Sequence, residues 1–244
     1  MVNLLKVLRE QKEMRLKGNL YHITQIQFAY NTNHMEGSTL TEEQTRYIYE
    51  TNTLLVEEGS KQTKVDDIVE TINHFKLVDY MLEVADDTLT EEMIKEFHKI
   101  LKTGTSDERK SWFRVGEYKA LPNEVGMHKT SEPKDVEKNI KKLLQEYHLL
   151  SKVTLEDIVK FHSDFEKIHP FQDGTGRVGR IIMFKECLKN NIVPFIILDK
   201  DKVFYYRGLE EYQDGGEKGY LIDTCLNAQD EYQQLVADLL MIQK

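Results

Sequence analysis

The sequence predicts an all-α protein, and three observations support that prediction. Apolar residues recur at helical spacing almost throughout the chain, and one such run is Ile94, Phe97, Ile100 and Leu101. No proline precedes Pro122, which favours long helices because proline removes a donor and clashes inside a helix. Threonines also stand directly ahead of acidic pairs, which is the usual chemistry of a helix start.

These signals place the helices along the chain. Thr41, Thr90 and Thr154 each predict a capped helix start. Between the first two of these starts, the apolar stripe of residues 68–82 predicts a further helix. The amphipathic run of residues 221–240 predicts the final helix, which a glycine-containing connection at residues 214–219 separates from the preceding chain.

One segment breaks the helical pattern. Residues 116–133, GEYKALPNEVGMHKTSEP, contain two glycines and two prolines and show no helical stripe. The Pro-Asn and Val-Gly pairs in this segment are typical of turns between short extended pieces. We therefore expect a small β-hairpin or an ordered loop inserted into the helical body.

The composition excludes several classes of protein. The 244 residues carry 33 basic and 42 acidic side chains, a formal charge of -9. This balance disfavours a protein that tracks a nucleic-acid polymer or an anionic membrane, because phosphate contacts need a basic face.

Two cysteines, Cys187 and Cys225, cannot build a disulfide scaffold or a four-thiolate zinc site. We expect a cytoplasmic protein, because the cysteine usage fits a reducing compartment and the longest apolar run is too short to cross a bilayer.

The stretch that carries chemistry is residues 169–180, HPFQDGTGRVGR. It contains G-x-G-x-x-G at Gly174, Gly176 and Gly179, with Asp199 further on, as in a dinucleotide-binding fold. That interpretation fails because the pattern must follow a β-strand, whereas the preceding residues follow one helical face. A Walker A loop is excluded as well, because no Gly-Lys-Ser/Thr follows the glycines.

The stretch instead predicts a helix, a tight turn and a second helix. His169 precedes a proline, which biases it away from the helical conformation and ends the first helix there. Gly174 and Gly176 allow a close turn, after which the unpaired N–H groups of the second helix point at an anion. Arg177 and Arg180 are three residues apart, so both guanidinium groups can emerge beside that anion.

Asp173 lies among these anion-binding groups, which is unfavourable beside phosphate unless a divalent cation lies between them. We therefore infer Mg2+ between Asp173 and phosphate oxygens. His169 titrates near neutral pH at the entrance of this polyphosphate site and is the natural base for an attacking hydroxyl. Each residue type alone more often has a structural role, but their combination favours nucleotide-dependent transfer to an alcohol.

This stretch resembles the signature of the Fic (filamentation induced by cAMP) family, H-x-F-x-D/E-G-N-G-R-x-x-R. The matching residues are His169, Phe171, Asp173, Gly174, Gly176, Arg177 and Arg180. Most members transfer AMP from ATP to a hydroxyl of a target protein and release pyrophosphate. The resemblance implies that His169 is the general base, that Asp173 holds Mg2+ and that Phe171 anchors the loop in the core.

The resemblance also implies a set of phosphate ligands: Gly174, Thr175, Gly176, Arg177 and Arg180. Thr175 replaces the asparagine of the signature and offers a hydroxyl in place of an amide. We expect this change to weaken or reorient the bound nucleotide without loss of the site. The Doc-type relatives, which phosphorylate their targets, depart from the glycines and the arginine of this loop, so AMP transfer is preferred here.

A second resemblance lies upstream. Thr32, Glu36 and Gly37 match the S/T-x-x-x-E-G/N inhibitory motif of the family. In relatives, the glutamate pairs with the second arginine of the signature, here Arg180, and obstructs the seating of the γ-phosphate. The physics is direct, because a carboxylate competes with phosphate for a guanidinium. A surface pair at a helix end would show the same residue types.

Two further segments resemble parts of the family by position. Asn123, Glu124 and Val125 resemble the edge of the flap, a hairpin at about residues 116–130 that holds an extended stretch of target by strand addition. Tyr206 and Gln213 stand where relatives contact adenine, although a core role is an equally good interpretation of Tyr206.

We therefore expect a Fic fold, a helical core with a small β-hairpin flap and an N-terminal inhibitory helix. The expected organisation is an N-terminal helical segment at residues 1–60, a Fic core at 61–228 with its signature loop at 169–180, and the end of a C-terminal helix at 229–244.

The expected function is autoinhibited protein adenylylation with ATP and Mg2+ or Mn2+, on a Ser, Thr or Tyr hydroxyl of a target that includes the chain itself. A hydrolase that removes AMP by means of Glu36 is one alternative, and a nucleotide-binding regulatory module without turnover is the other. The sequence leaves the oligomeric state open, a homodimer included.

Overall fold

A computed structural model of the chain describes residues 3–56, 62–125 and 128–241. Those residues form ten α-helices and two short strands, which confirms the all-α prediction. The helices are α1 (Leu4–Met14), α2 (Leu20–Met35), α3 (Glu42–Thr51), α4 (Val65–Glu83), α5 (Glu91–Lys102), α6 (Pro133–His148), α7 (Leu155–Ile168), α8 (Thr175–Lys189), α9 (Lys202–Gln213) and α10 (Gly219–Met241). The strands are β1 (Glu124–Val125) and β2 (His128–Lys129). None of the described helices has both the length and the apolarity that a bilayer crossing needs.

The three helix starts predicted from threonines are confirmed. Thr41 opens α3 and Thr154 opens α7, each through a capping box in which the threonine hydroxyl accepts a backbone N–H and the third helical residue bonds back. Thr90 opens α5, where its side chain accepts the amide of Met93. Each cap satisfies a donor that would otherwise lack a partner at a helix N-terminus.

α8 is the central helix of the fold. Ile181, Ile182 and Met183 are all buried although they point in different directions around its axis. A helix that is buried on every side needs neighbours on every side, and α1, α2, α4, α5 and α7 pack around it. The first turn of α8 is therefore a fixed platform for the side chains that surround it.

The N-terminal helices pack on this same core. Phe28 of α2 contacts Phe184 of α8, with ring centroids 5.2 Å apart, and both belong to the main buried cluster. α2 ends at Met35, with Glu36 as its C-terminal cap and Gly37 in the left-handed region at a φ of 91°. A φ of this sign suits glycine and stops the helix beside the start of α8.

The irregular segment predicted at residues 116–133 extends to the start of α6. β1 pairs antiparallel with β2, and Glu124 lies opposite Lys129. The base of this hairpin is tied to the neighbouring signature segment, because the Lys119 amide donates to the Pro170 carbonyl at 2.9 Å. Residues 126 and 127 of the predicted flap lie outside the described residues.

Candidate active site

The signature segment begins where α7 ends. His169 caps α7 in the left-handed conformation, with a φ of 49°, and its amide donates to the Phe165 carbonyl. This conformation is costly for a residue that is not glycine, so the surrounding structure must hold it. Part of that hold comes from Phe171, which is buried and stacks on the ring of His98 with centroids 3.9 Å apart. The helix end predicted at His169 is confirmed.

His98 links the hairpin to the signature loop, although no motif in the sequence points to it. Its Nδ1 accepts the amide of Gly116 at 3.0 Å, so the proton is on Nε2, which donates to the Asp173 carbonyl at 3.1 Å. Burial lowers the pKa of His98 to about 3, so the ring is neutral at physiological pH. The only sequence signal is a histidine on the apolar stripe of α5, which gives no hint of these partners.

α8 begins at the glycines of the signature, as the sequence predicts. The helix begins at Thr175, one residue after its cap Gly174, so Gly176 lies in the first helical turn and the glycine turn is shorter than expected. A Cβ atom on Gly176 would lie 2.5 Å from the Glu36 Oε1 atom, so only glycine allows this approach. The Glu36 carboxylate therefore lies against the first turn of α8, where helix amides lack intrahelical partners.

Arg180 is held by the end of α2. Its Nε donates to Thr32 Oγ1 at 2.5 Å and its Nη2 donates to Glu36 Oε1 at 2.6 Å. The guanidinium is buried, and among the described residues its Nη1 has no hydrogen-bond partner. Burial alone would lower the pKa of Arg180, but the charge of Glu36 outweighs it and raises that pKa. The contact that the inhibitory motif implies is thus present in the geometry.

Arg177 has a different set of partners. Its Nη1 donates to Glu70 Oε2 at 2.5 Å, and its Nη2 donates to Asp173 Oδ2 at 2.8 Å. The Lys102 ammonium donates to the same Asp173 oxygen at 2.6 Å. Burial alone would raise the pKa of Asp173, but Arg177 and Lys102 outweigh it and hold that pKa well below its usual value. No motif in the sequence points to Glu70 or Lys102, because both lie on helices that precede the signature by many residues.

The imidazole of His169 is uncharged at neutral pH. Its Nδ1 is buried 3.9 Å from Glu166 Oε2, which leaves Nε2 as the nitrogen that can face the pocket. Burial and the positive charge of Lys119 lower the pKa of His169 to about 4, although Glu36 and Asp173 act in the opposite direction. An uncharged imidazole can accept a proton from a hydroxyl.

Thr175 is turned away from the expected anion. Its hydroxyl accepts the Phe171 amide at 3.2 Å, and the side chain is buried. The expectation that this hydroxyl is offered to phosphate is therefore not met in this conformation. What position 175 can offer an anion is its backbone amide, in the first turn of α8.

The residues predicted for the flap lie at the hairpin, whereas the two residues predicted for the adenine pocket bond to α2 and α7. Asn123 anchors the hairpin, because its Oδ1 accepts from Lys119 and its Nδ2 donates to the Phe171 carbonyl at 3.1 Å. Glu124 is exposed on β1, which Val125 completes. Tyr206 donates its hydroxyl to the Met35 carbonyl at 3.3 Å, at the end of α2. The side-chain amide of Gln213 donates to the Ser163 carbonyl on α7.

The residues of the signature segment present groups that could hold a polyphosphate and a divalent cation. Within the described part of the chain, Arg180 Nη1 and Arg177 Nε are buried without hydrogen-bond partners, and phosphate oxygens would satisfy both. The Asp173 side chain remains 46% exposed, so one carboxylate oxygen is open to a hard cation such as Mg2+. These donors and acceptors are of the types that bind a polyphosphate and its cation.

Comparison with known families gives the same result as the signature. Residues 88–187 match the Fic/DOC family. Over these residues the chain is similar to a Fic domain. The matched residues run from the start of α5 through most of α8, and they include the whole signature segment.

Individual proteins are similar to this chain over most of its length. The protein adenylyltransferase Fic of Nematostella vectensis is 26% identical over 201 residues, which is 80% of this chain and 45% of that protein. A Fic domain-containing signalling protein from Bacteroides thetaiotaomicron superposes with a TM-score of 0.71 at 24% identity and covers 98% of this chain and 92% of that one. Fic-1 of Caenorhabditis elegans superposes with a TM-score of 0.71 at 19% identity, over 99% and 73% of the two chains. The solved structures show the fold, and the chain spans less than half the length of the relatives it matches by sequence.

Proposed function

We propose that the chain is an autoinhibited protein adenylyltransferase. The observation that supports it best is the convergence of His169, Asp173, Arg177 and Arg180 at the first turn of α8, where buried guanidinium nitrogens lack partners among the described residues. The names of the sequence relatives, protein adenylyltransferase, support the same class of reaction.

The proposed reaction is an attack of a target hydroxyl on the α-phosphorus of ATP. His169 takes the hydroxyl proton, the new oxygen–phosphorus bond forms, and the bond between the α- and β-phosphates breaks to release pyrophosphate. Arg177 and Arg180 hold the β- and γ-phosphates, and the first amides of α8 face the anion. Asp173 would hold the Mg2+ ion, which neutralises phosphate charge when it is bound.

The proposed inhibition follows from competition for Arg180. The Glu36 carboxylate already satisfies Nη2 of Arg180 and lies over Gly176, so a γ-phosphate and this carboxylate cannot share the position. Removal of Glu36 would leave Arg180 buried beside Thr32 and free to bind phosphate. In the proposed resting state, the Glu36 carboxylate is therefore bound to Arg180.

The proposed target is a protein hydroxyl presented beside the hairpin. β1 and β2 form a two-stranded ladder whose base is fixed to Pro170 and Phe171, next to His169. A short edge of this kind can take an extended peptide by strand addition, with its hydroxyl facing the base. Ser, Thr and Tyr side chains fit this chemistry, and the chain itself is included among the proposed targets.

The test is the intact mass of the protein after incubation with ATP and MgCl2. We expect Glu36→Gly to gain the mass of one or more adenylyl groups, the wild type to gain much less, and Glu36→Gly/His169→Ala to gain none. Glu43→Gly, at an exposed position of α3, is the matched control and should behave as the wild type. Equal masses for the wild type and Glu36→Gly would contradict the inhibition, and adenylylation of the His169→Ala form would contradict the base.

Removal of AMP is the second candidate function, and one observation favours it. The Glu36 carboxylate lies beside Gly176 of the signature, and its charge acts on His169. Such a carboxylate could orient a water for hydrolysis. Incubation with an AMP-modified protein separates the two functions, because hydrolysis should require Glu36 whereas transfer should not. Nucleotide binding without any turnover by Glu36→Gly would support a regulatory module instead.

A further inference from the structure

Lys102, at the C-terminal end of α5, has an unusual environment for a lysine. Its side chain is 2% exposed, and its ammonium lies 2.5 Å from Glu70, 2.7 Å from Asp107 and 2.6 Å from Asp173. An ammonium has three N–H donors, so each donor has a carboxylate of its own. The three carboxylates come from α4, the turn after α5 and the signature loop, so one side chain joins three separate segments.

The same three carboxylates form a group that could hold a metal ion. One oxygen each from Glu70, Asp107 and Asp173 lies within 4.8 Å of the others. Carboxylate oxygens are the ligands that Mg2+, Ca2+ and Mn2+ prefer. The ammonium of Lys102 is already bonded to all three residues, which means that a cation of the protein itself occupies their centre.

This arrangement also orients Asp173. Its Oδ2 accepts from Lys102 and from Arg177, which fixes that oxygen on the buried side. The side chain as a whole is 46% exposed, so its other oxygen is the one that is open to solvent. A carboxylate fixed through one oxygen presents the other in a defined direction, as a ligand of a nucleotide-bound cation must be presented.

We propose that Lys102 is a positioning residue that acts as a resident cation. It holds Asp173 in place and prevents Glu70, Asp107 and Asp173 from binding a divalent ion before the nucleotide brings one. The positioning of Asp173 for a nucleotide-bound ion depends on the proposed adenylyltransfer, whereas the exclusion of free metal does not. Position 102 thereby sets how many divalent ions the site takes.

The charges at this site predict the effect of replacing the lysine. Without Lys102, Arg177 still pairs with Glu70 and Asp173, and Lys110 still pairs with Asp107 at 2.6 Å. The centre of the three carboxylates would then hold no cation, and like charges at this distance repel one another. A divalent ion would relieve that repulsion, so the affinity for free metal should rise.

The experiment measures Mn2+ binding to nucleotide-free protein by electron paramagnetic resonance. We expect Lys102→Met and Lys102→Gln each to bind one Mn2+ at least tenfold more tightly than the wild type. Lys102→Gln keeps a polar side chain at this buried position and decides the matter if Lys102→Met does not fold. Lys185→Met is the matched control, because Lys185 is equally buried and pairs with a carboxylate, Glu186, outside this group. It should leave Mn2+ binding unchanged.

A second measurement separates this proposal from the proposed function. In the Glu36→Gly background, Lys102→Gln should raise the Mg2+ concentration needed for half-maximal self-adenylylation by more than its effect on the maximal rate. If no variant transfers AMP, the proposed function fails, and Mn2+ binding still decides the exclusion of metal. Unchanged Mn2+ binding in folded Lys102→Gln would overturn the proposal, as would an equal gain in Lys185→Met.

Discussion

Arg177 and Arg180 lie one turn apart on the same helix, yet the carboxylates that hold them differ in kind. Arg180 pairs with Glu36, the cap at the end of α2, whose side chain is 28% exposed. Arg177 pairs with Glu70, inside the first turns of α4, whose side chain is 14% exposed and also bonded to Lys102. One partner stands at a helix end, and the other is fixed within a helix and a network.

This difference indicates which of the two ion pairs can break. A carboxylate at a helix end moves with a few backbone angles and can be replaced by water or phosphate. A carboxylate inside a helix that also satisfies a buried lysine cannot leave without exposing both partners to a large desolvation cost. We infer that the Glu36–Arg180 pair is the switch of the molecule, whereas the Glu70–Arg177 pair belongs to its scaffold.

The largest expected effect is on stability. Glu70→Ala should lower the free energy of unfolding by about 3–5 kcal/mol, because it leaves Arg177 and Lys102 each short of a buried partner. Glu36→Ala should cost only about 1 kcal/mol, because its place opens to solvent. Urea unfolding measures both values. Glu231→Ala, in an exposed pair with Lys200, is the control and should change stability by less than about 1 kcal/mol.

Equal losses for Glu70→Ala and Glu36→Ala would remove the distinction between switch and scaffold. A larger loss for Glu36→Ala would reverse it, since α2 would then depend on Arg180 for its position.

The next effect is on transfer activity, and the two carboxylates should act in opposite directions. Glu36→Gly should raise the rate of self-adenylylation at least about tenfold, which corresponds to about 1.4 kcal/mol of removed competition. Glu70→Gln should lower the rate in the Glu36→Gly background, because Arg177 loses the partner that orients it. Initial rates with radiolabelled ATP measure both changes. A rise in rate for Glu70→Gln would make Glu70 a second inhibitory carboxylate.

Most of the fold could be predicted from local pattern. Helical spacing, threonine caps and proline placement located α3, α4, α5, α7 and α10, because these signals arise from each helix and the solvent next to it. The signature residues could be predicted as a group for a similar reason, since one short turn brings them together. The contact of Glu36 with Arg180 needed the resemblance to a family, because 144 residues separate them in sequence.

The supporting residues of the site could not be predicted this way. Glu70, His98, Lys102 and Lys119 reach the signature only through the packing of α4, α5 and the hairpin base against it. In the sequence each is one charged or polar residue among many. Thr175 could not be predicted for another reason, because it begins α8 and the direction of its hydroxyl depends on the turn that closes on Phe171.

A smaller effect concerns pH and Lys119. The ammonium of Lys119 bonds only to the neutral groups Asn123 and Thr130 among the described residues, and burial lowers its own pKa to about 8. Its charge helps to keep His169 unprotonated. Lys119→Met should therefore raise the pKa of His169, and the acid limb of kcat/KM should move up by about one pH unit.

The other charged groups near His169 fix the sign of this shift. Glu36 from α2 and Asp173 from the loop both favour the protonated imidazole, so without Lys119 they act unopposed by a nearby cation. Glu166 from α7 also faces the ring, and burial raises its pKa to about 8, so that it is largely uncharged near neutral pH. A pH profile of Lys119→Met that shifts towards lower pH would contradict this balance. Lys119→Arg should keep the profile of the parent.

The smallest effect is expected at Thr175, the single departure within the signature. Its hydroxyl bonds to the Phe171 backbone inside the turn and does not face the phosphate position, so its removal should affect stability more than binding. Thr175→Val should lower the free energy of unfolding by about 1 kcal/mol and change the KM for ATP by less than about twofold. Urea unfolding and initial rates in the Glu36→Gly background measure the two quantities. A tenfold rise in KM with unchanged stability would show that the hydroxyl turns towards the nucleotide, and position 175 would then belong with Arg180 to the movable half of the site.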